Sequence, residues 1–162
     1  MTIIIVGAGQ AAGQAAASLR QEGYEDRIVM IGDETVPPYQ RPPLSKQYLS
    51  GEHDADKIMV RPAKFYKDRN IELRLGQKVT AINRKEKLVE IDEESISYEK
   101  LLIATGSRPR KLNIEGSDLS GIFYLRTKAD VDDIRTAFPE ASSLCIVGGG
   151  YIGLEVAAVA KS

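Results

Sequence analysis

The sequence predicts an α/β protein in which helices cover a parallel sheet and a small antiparallel meander is attached to it. Two observations support the parallel sheet: an apolar run at residues 3–6 with a mostly apolar one at 27–31, and an alanine-rich, proline-free segment between them. A third observation supports the meander, because residues 79–98 alternate polar and apolar side chains between charged turns.

The first elements form one β-α-β unit. Residues 3–6 are continuously apolar, as expected of a strand covered on both faces, and Gly7 ends the run. Residues 10–22 favour a helix that Gly23 closes, and residues 27–31 form a second buried strand. We expect the crossover between the two parallel strands to be right-handed.

The middle of the chain changes in character. Four prolines between residues 37 and 43 predict an ordered, extended loop, because each removes a backbone donor. Beyond it we expect short helices at 44–49 and 62–69, a strand at 71–75, meander strands at 79–83, 87–92 and 95–98, and a buried strand at 101–104.

A second unit is expected after a segment rich in Gly, Pro, Ser and charge at residues 109–121. We therefore divide the chain into domains at 1–110 and 111–162. In the second domain we predict a helix at 127–138, a buried strand at 144–147 and a helix from 151 to 160. This β-α-β unit is unfinished at Ser162.

Composition argues against several classes of function. The net charge is -1, and no Lys/Arg run is interleaved with aromatic residues, so nucleic acid is not an expected partner. The apolar opening is too short for a membrane segment. The single cysteine, Cys145, lies in an apolar run, which predicts a packed thiol, and the chain is expected to be cytoplasmic. No metal site is predicted.

The turn after the first strand has the G-x-G-x-x-G/A pattern of a dinucleotide site, with Gly7, Gly9 and Ala12 at its three positions. Gly7 permits the tight turn, Gly9 lets a pyrophosphate approach the backbone, and Ala12 allows close helix packing. An acid that binds a ribose hydroxyl is expected near residue 33, and Asp33 is preferred to Glu34. The alternative is a turn whose glycines serve sterics alone.

A second turn repeats the pattern through Gly148, Gly150 and Gly153. Two such turns indicate two Rossmann-type units and two dinucleotides. The simplest pair is one bound flavin and one exchangeable nicotinamide.

Three segments resemble one family, the FAD-dependent ferredoxin reductases, which have the glutathione-reductase type of fold. They are PYQRPPLSK at 38–46, ATGSRPR at 104–110 and GGGYIGLE at 148–155. The resemblance covers essentially the whole chain. It implies a Rossmann-type FAD-binding unit in residues 1–110, followed in 111–162 by the first β-α of an incomplete NAD(P)-binding unit.

The resemblance also implies roles for individual residues. Ala11 would lie at the pyrophosphate, Asp33 at the adenosine ribose, Val79 at the adenine and Arg126 at the cofactor. Lys46 would lie beside the flavin and Glu155 at the nicotinamide, where it could pair with Lys46; these two are the expected catalytic residues. The full expected set for cofactor binding is Gly7, Gly9, Ala11, Ala12, Asp33, Glu34, Arg41, Lys46, Val79, Ala104, Thr105, Gly106, Arg126, Gly148, Gly150, Gly153 and Glu155.

The expected reaction follows from the family and from what the chain lacks. Disulfide reductases of this fold need two cysteines beside the flavin, and related NADH oxidases and peroxidases need one near residues 41–46, where this chain has none. We therefore expect hydride transfer from NADH or NADPH to FAD, then single electrons to a [2Fe-2S] ferredoxin or similar carrier of an oxygenase system. The acid that selects NAD or NADP should lie beyond Ser162.

Two alternatives stay open. One is a truncated, inactive fragment that acts as a nucleotide-binding or interaction module and associates with itself through exposed strand edges. The other is a flavin reductase with a small-molecule acceptor.

Overall fold

The computed structural model describes residues 1–92 and 94–161. These form two compact units, and each is described by itself. The first, which we call the sheet unit, contains residues 1–39 and 59–106. The second, the helical unit, contains residues 40–58 and the chain from residue 107 onward.

Within its described residues, the sheet unit contains seven strands and two helices. The strands are β1 (Thr2–Val6), β2 (Arg27–Gly32), β3 (Ile71–Leu75), β4 (Val79–Asn83), β5 (Leu88–Ile91), β6 (Glu94–Ser97) and β7 (Lys100–Ile103). The helices are α1 (Gln10–Gln21) and α4 (Ala63–Asp68).

The helical unit contains short helices. They are a 3-10 helix (Pro42–Ser45), α2 (Gln47–Ser50), α3 (Ala55–Ile58), α5 (Lys128–Ala137), a second 3-10 helix (Phe138–Glu140) and α6 (Tyr151–Lys161). In the part of the chain that the structure describes, no helix is both long and apolar enough to cross a membrane.

The parallel sheet has the order β3-β2-β1-β7, and every pairing in it is parallel. Its two central strands are buried, with Ile4, Ile5, Val29 and Met30 fully inaccessible to solvent. Burial on both faces explains why these strands are continuous apolar runs rather than alternating ones. The α/β prediction is confirmed.

The meander β4-β5-β6 is antiparallel, as predicted, and covers one face of the parallel sheet. Val89, Ile91 and Ile96 of the meander pack against Val6 and Val29 of the sheet in one apolar cluster. The opposite face packs against α1 and Tyr66. Each face of the sheet therefore has its own cover, and the core lies on both sides of β1 and β2.

Helix α1 packs closely because its buried residues are small: Ala12, Gly13, Ala16 and Ala17. A Cβ atom on Gly13 would lie 2.7 Å from the Cβ of Pro38, so Pro38 rests directly on the helix. At the other end of α1, Arg20 donates hydrogen bonds to four carbonyl oxygens, those of Tyr24, Asp26, Arg69 and Asn70.

Two predicted strands differ from expectation. The strand expected to be buried at 101–104 forms as β7, but Leu102 and Ile103 are 38% and 62% exposed. The reason is its place at the end of the sheet, where β1 is its neighbour on one side. The strand expected at 144–147 is not formed, and these residues are exposed. A strand needs a partner, and the described part of the helical unit contains none.

Three further predictions are corrected by the structure. Cys145 is an exposed thiol rather than a packed one, because the strand that would have buried it is absent. The helix expected at 44–49 is broken at Lys46 into the first 3-10 helix and α2. The helix that follows the second glycine turn forms as α6, so the predicted β-α start of a second unit is present only as its turn and helix.

The predicted division between residues 110 and 111 assigns the first domain to FAD and the second to NAD(P), and this assignment stays a prediction. The compact units are drawn differently, since residues 40–58 belong with the C-terminal part of the described chain.

Gly7 is the point where β1 turns into α1, and its surroundings predict a test. Its φ is +111°, and a Cβ atom there would lie 2.2 Å from the carbonyl oxygen of Ala104. We expect Gly7→Ala to lower the free energy of unfolding by about 2–4 kcal/mol, because the methyl group adds a backbone clash to an unfavourable φ. Urea denaturation measures this change.

Gly9→Ala is the matched control on the same turn. Its φ is -89°, and no atom lies within 4 Å of the position its Cβ would take. The loss there should be less than about 1 kcal/mol. Equal losses for the two variants would contradict this account of the turn.

Candidate functional site

The start of α1 fits an anionic group. Gly9 occupies the N-cap position, no side chain caps the helix, and the first turn contains no acidic residue. The backbone N–H groups of the first turn are therefore available to an external acceptor. Because neither the φ of Gly9 nor any neighbouring atom requires a glycine, the open space there fits the close approach of a pyrophosphate. Ala12 is buried against the sheet and Ala11 is exposed.

The segment after β7 lies beside this turn. The N–H of Ala104 donates to the carbonyl oxygen of Val6 at 2.7 Å, which extends the pairing of β7 and β1 to the turn itself. Thr105 and Gly106 follow and are exposed, and Gly106 has a φ of +69°. The structure thus brings Ala104, Thr105 and Gly106 to the same carboxyl edge of the sheet as Gly7.

The two acids at the end of β2 differ in their surroundings. Asp33 is exposed, whereas Glu34 is half-buried and its Oε2 accepts a 2.6 Å hydrogen bond from the hydroxyl of Tyr39. The Glu34 carbonyl also accepts from the N–H of Gly76. Glu34 is thus part of the loop structure, while Asp33 is the more accessible carboxylate. Val79 begins β4, an edge strand with an irregular register between Val79 and Ala81.

In the helical unit, Lys46 and Glu155 form an ion pair. The Nζ of Lys46 lies 2.9 Å from Oε2 of Glu155, and the same oxygen accepts a 2.5 Å hydrogen bond from the hydroxyl of Ser45. The Lys46 ammonium also donates to the carbonyl oxygen of Pro42 at 3.2 Å. The structure therefore brings the two expected catalytic residues into contact, as the resemblance implies for the state without NADH.

The hydrogen bond from Ser45, and then the charge and hydrogen bond of Lys46, hold the pKa of the Glu155 carboxyl below its ordinary value. Glu155 is thus an anion at neutral pH. The pair consequently needs no proton transfer to form.

Local structure explains the position of Lys46. Pro42 and Pro43 begin the first 3-10 helix, and Lys46 follows it with φ -129° and ψ -112°, a conformation that ends this helix before α2 starts. The break places Ser45 and Lys46 side by side against α6.

Helix α2 is held to α5 by a second polar cluster. The buried Tyr48 hydroxyl donates to Oδ1 of Asp132 at 2.6 Å, and Oδ2 of Asp132 lies 2.7 Å from the Nζ of Lys128. Burial by itself would raise the pKa of Asp132, but the hydrogen bonds from Lys128 and Tyr48 outweigh it and lower that pKa. The cations of Lys128 and Arg135 lie 5.5 and 5.4 Å from the centre of the Tyr48 ring.

Arg41 and Arg126 are joined through the backbone. Nη1 of Arg41 donates to the carbonyl oxygen of Arg126 at 2.7 Å, and Nε of Arg126 donates to the carbonyl oxygen of Ser107 at 3.0 Å. Asp130 Oδ2 accepts from the backbone N–H groups of Arg126 and Thr127 as part of the capping box of α5. Arg126 is therefore fixed directly before α5.

The second glycine turn has the same division of roles as the first. Gly148 has a φ of +121°, and a Cβ atom on Gly153 would lie 2.4 Å from the Gly148 carbonyl oxygen. A Cβ atom on Gly150 would have no atom within 4 Å. One glycine thus serves the turn, one the packing, and one leaves open space at the start of α6. The assignment of each residue in these sites to a part of a nucleotide stays a prediction.

The sequence did not identify Ser45, Tyr48 or Asp132 as contributors to these clusters. Lys128 and Asp132 stand four residues apart in a predicted helix, which is a recognisable signal for an ion pair. Ser45 gives no such signal beyond its position next to Lys46.

Comparison with known proteins gives the family. Residues 1–162 match the model of the pyridine nucleotide-disulphide oxidoreductases. Rhodocoxin reductase from Rhodococcus erythropolis is 44% identical over 162 residues, which cover 99% of this chain and 38% of that protein.

Two solved structures are similar over 99% of this chain. A ferredoxin reductase from Rhodopseudomonas palustris has a TM-score of 0.94 at 41% identity, with 40% of its chain covered. The covalent complex of putidaredoxin reductase and putidaredoxin has a TM-score of 0.89 at 40% identity, with 39% covered.

The chain thus spans about two fifths of the length of the relatives it matches. The resemblance to the ferredoxin reductases is confirmed by these names. The chain belongs to the pyridine nucleotide-disulphide oxidoreductase family.

Proposed function

We propose that this chain is the nucleotide-binding part of an FAD-dependent NAD(P)H oxidoreductase of the ferredoxin reductase type. The observation that supports this most directly is the contact of Lys46 with Glu155, because it joins the PPLSK segment to the helix after the second glycine turn. FAD, when bound, supplies the chemistry that accepts a hydride from NAD(P)H and releases electrons singly. The acceptor is a [2Fe-2S] ferredoxin or a similar electron carrier.

The first glycine turn holds the FAD pyrophosphate in this proposal. The free N–H groups at the start of α1 bind the phosphate oxygens, and the open space at Gly9 admits them. Asp33, the accessible acid, binds the adenosine ribose. Gly148, Gly150 and Gly153 serve the nicotinamide nucleotide in the same way.

Lys46 supplies a positive charge next to the flavin. A cation there stabilises the negative charge that develops as hydride arrives, which is electrostatic catalysis. Glu155 faces the nicotinamide and neutralises Lys46 until that ring binds. The ordinary alternative, two unrelated surface residues, is less consistent with a 2.9 Å pair between residues 109 positions apart in the chain.

The acceptor is proposed from the relatives and from the cysteine content. The relatives are named as reductases of rhodocoxin, ferredoxin, rubredoxin and putidaredoxin. The single Cys145 of this sequence has no second cysteine with which to form a redox-active pair. A cytoplasmic location and self-association both stay predictions.

One observation favours the alternative of an interaction module. Tyr151, Ile152 and Leu154 of α6 are 88%, 55% and 63% exposed, which is unusual for large apolar residues on one helix.

The visible absorption spectrum after addition of FAD and removal of free cofactor separates the two proposals. Retained flavin bands that NADH bleaches, followed by reduction of a [2Fe-2S] ferredoxin, are the expected result. Absence of bound flavin, whatever the length of the chain that is purified, would contradict the proposed reductase function.

Gly9→Leu tests the pyrophosphate turn. The side chain would fill the open space at the start of α1, so we expect FAD binding to be lost while the circular dichroism spectrum is retained. The flavin-to-protein absorbance ratio after gel filtration measures the loss. Gln14→Leu, which adds the same side chain at an exposed position of α1 outside the turn, is the control, with circular dichroism reporting any loss of fold. FAD bound at the normal ratio by Gly9→Leu would refute the turn as its site.

Lys46→Ala tests the cation. We expect the variant to keep FAD and to be reduced by NADH roughly 10–100 times more slowly, because a positive charge near the developing anion is removed. Stopped-flow absorbance gives the rate. Lys64→Ala removes an exposed lysine from α4 and should leave the rate unchanged. An unchanged rate in Lys46→Ala would exclude this role.

A further inference from the structure

Ser45 is a buried hydroxyl whose partner comes from a distant part of the chain. It is 4% exposed and, among the residues that the structure describes, it is the one buried polar residue apart from the tyrosines. Its hydroxyl donates to Oε2 of Glu155, 110 residues later in the sequence. A buried hydroxyl that lost its acceptor would stay desolvated and unpaired, so this hydrogen bond is favoured to persist.

Lys46 holds the same oxygen less permanently. Its side chain is 41% exposed, and its ammonium has a second acceptor in the carbonyl oxygen of Pro42. An exposed lysine exchanges partners at small cost, because water replaces what it loses. Of the two donors on Oε2, Ser45 is therefore the fixed one and Lys46 the exchangeable one.

The other carboxylate oxygen of Glu155 is open. No hydrogen bond to Oε1 occurs among the described residues, and the Glu155 side chain is 28% exposed. The elements packed against α6 here, the first 3-10 helix and α2, contain no charged side chain, so Lys46 between them is the cation that faces Glu155. Oε1 can therefore accept a hydrogen bond from a ligand N–H group.

We propose that Ser45 is a positioning residue: its hydroxyl fixes Oε2 of Glu155 and so presents Oε1 to the carboxamide N–H of the nicotinamide, whether or not Lys46 is paired. This inference rests on the proposed function, in which Glu155 faces the nicotinamide. It adds a residue that acts through Glu155 and does not itself touch the ligand.

The test compares three substitutions in the purified FAD-bound protein, as its full chain. Ser45→Ala removes the hydroxyl, Ser45→Thr keeps it, and Ser50→Ala removes an exposed hydroxyl that bonds only within its own turn. The first measurement is the pKa of Glu155, obtained from a pH titration by ¹³C NMR of labelled carboxyl groups. The Glu155 signal is assigned as the one missing in Glu155→Gln. The second is the dissociation constant of NADH as a function of pH.

Ser45→Ala should raise the pKa of Glu155, because the donor that lowers it most is gone. NADH should bind about fivefold more weakly, as expected for a carboxylate that has lost one charge-assisted hydrogen bond at a partly exposed site. Since the ionised carboxylate is the acceptor, the loss of NADH binding on acidification should begin at higher pH in this variant. Ser45→Thr and Ser50→Ala should match the original protein in both measurements.

Two results would overturn the proposal. One is an unchanged Glu155 pKa in Ser45→Ala. The other is an effect of Ser45→Ala on NADH binding that is as large in the Glu155→Gln background as in the original protein. A residue that acts only through Glu155 should have no effect once Glu155 is replaced.

The NMR measurement also separates this inference from the proposed function. If the protein does not oxidise NADH but Ser45→Ala, and neither of the other two variants, raises the Glu155 pKa, the Ser45 hydrogen bond is supported and the proposed reductase function is contradicted. If the protein oxidises NADH but the Glu155 pKa does not rise in Ser45→Ala, only the proposed role of Ser45 is contradicted.

Discussion

The close approach of Gly7 to the carbonyl oxygen of Ala104 is the constraint on which the sheet unit depends. It lets β1 turn into α1 while β7 pairs alongside, so the ends of two parallel strands meet the start of one helix. The N–H of Gly7 donates to the carbonyl oxygen of Ile31, which ties β2 to the same point. Three strands and a helix thus converge where a side chain would not fit, and the available backbone N–H groups of α1 lie there as a result.

Much of this unit could be predicted because its sequence patterns are local. A strand buried on both faces must be continuously apolar, and a strand of a meander must alternate, so β1, β2 and the meander were all recognisable. The exposure of β7 and the absence of a strand at 144–147 were not, since both depend on neighbours. An apolar run is compatible with a strand, but only a partner at hydrogen-bonding distance makes it one.

The candidate site shows the same limit from another side. Lys46 and Glu155 were identified because their motifs resemble those of a known family, whereas Ser45 and Asp132 were not. Ser45 bonds to Glu155, 110 residues away, and Asp132 to Tyr48, 84 residues away. The periodicity of a helix or strand indicates only contacts between residues close in sequence. The break at Lys46 was also hidden, because prolines favour a helix start without fixing how long the helix continues.

The uncapped start of α1 has a consequence for the lifetime of the protein in a cell. No side chain satisfies the first N–H groups of this helix, so a bound pyrophosphate would serve as its cap. A ligand that binds only the folded state adds its binding free energy to the stability of that state. Folding and cofactor supply are then linked: chains made when flavin is scarce would unfold more often, and proteases would remove them before they accumulate.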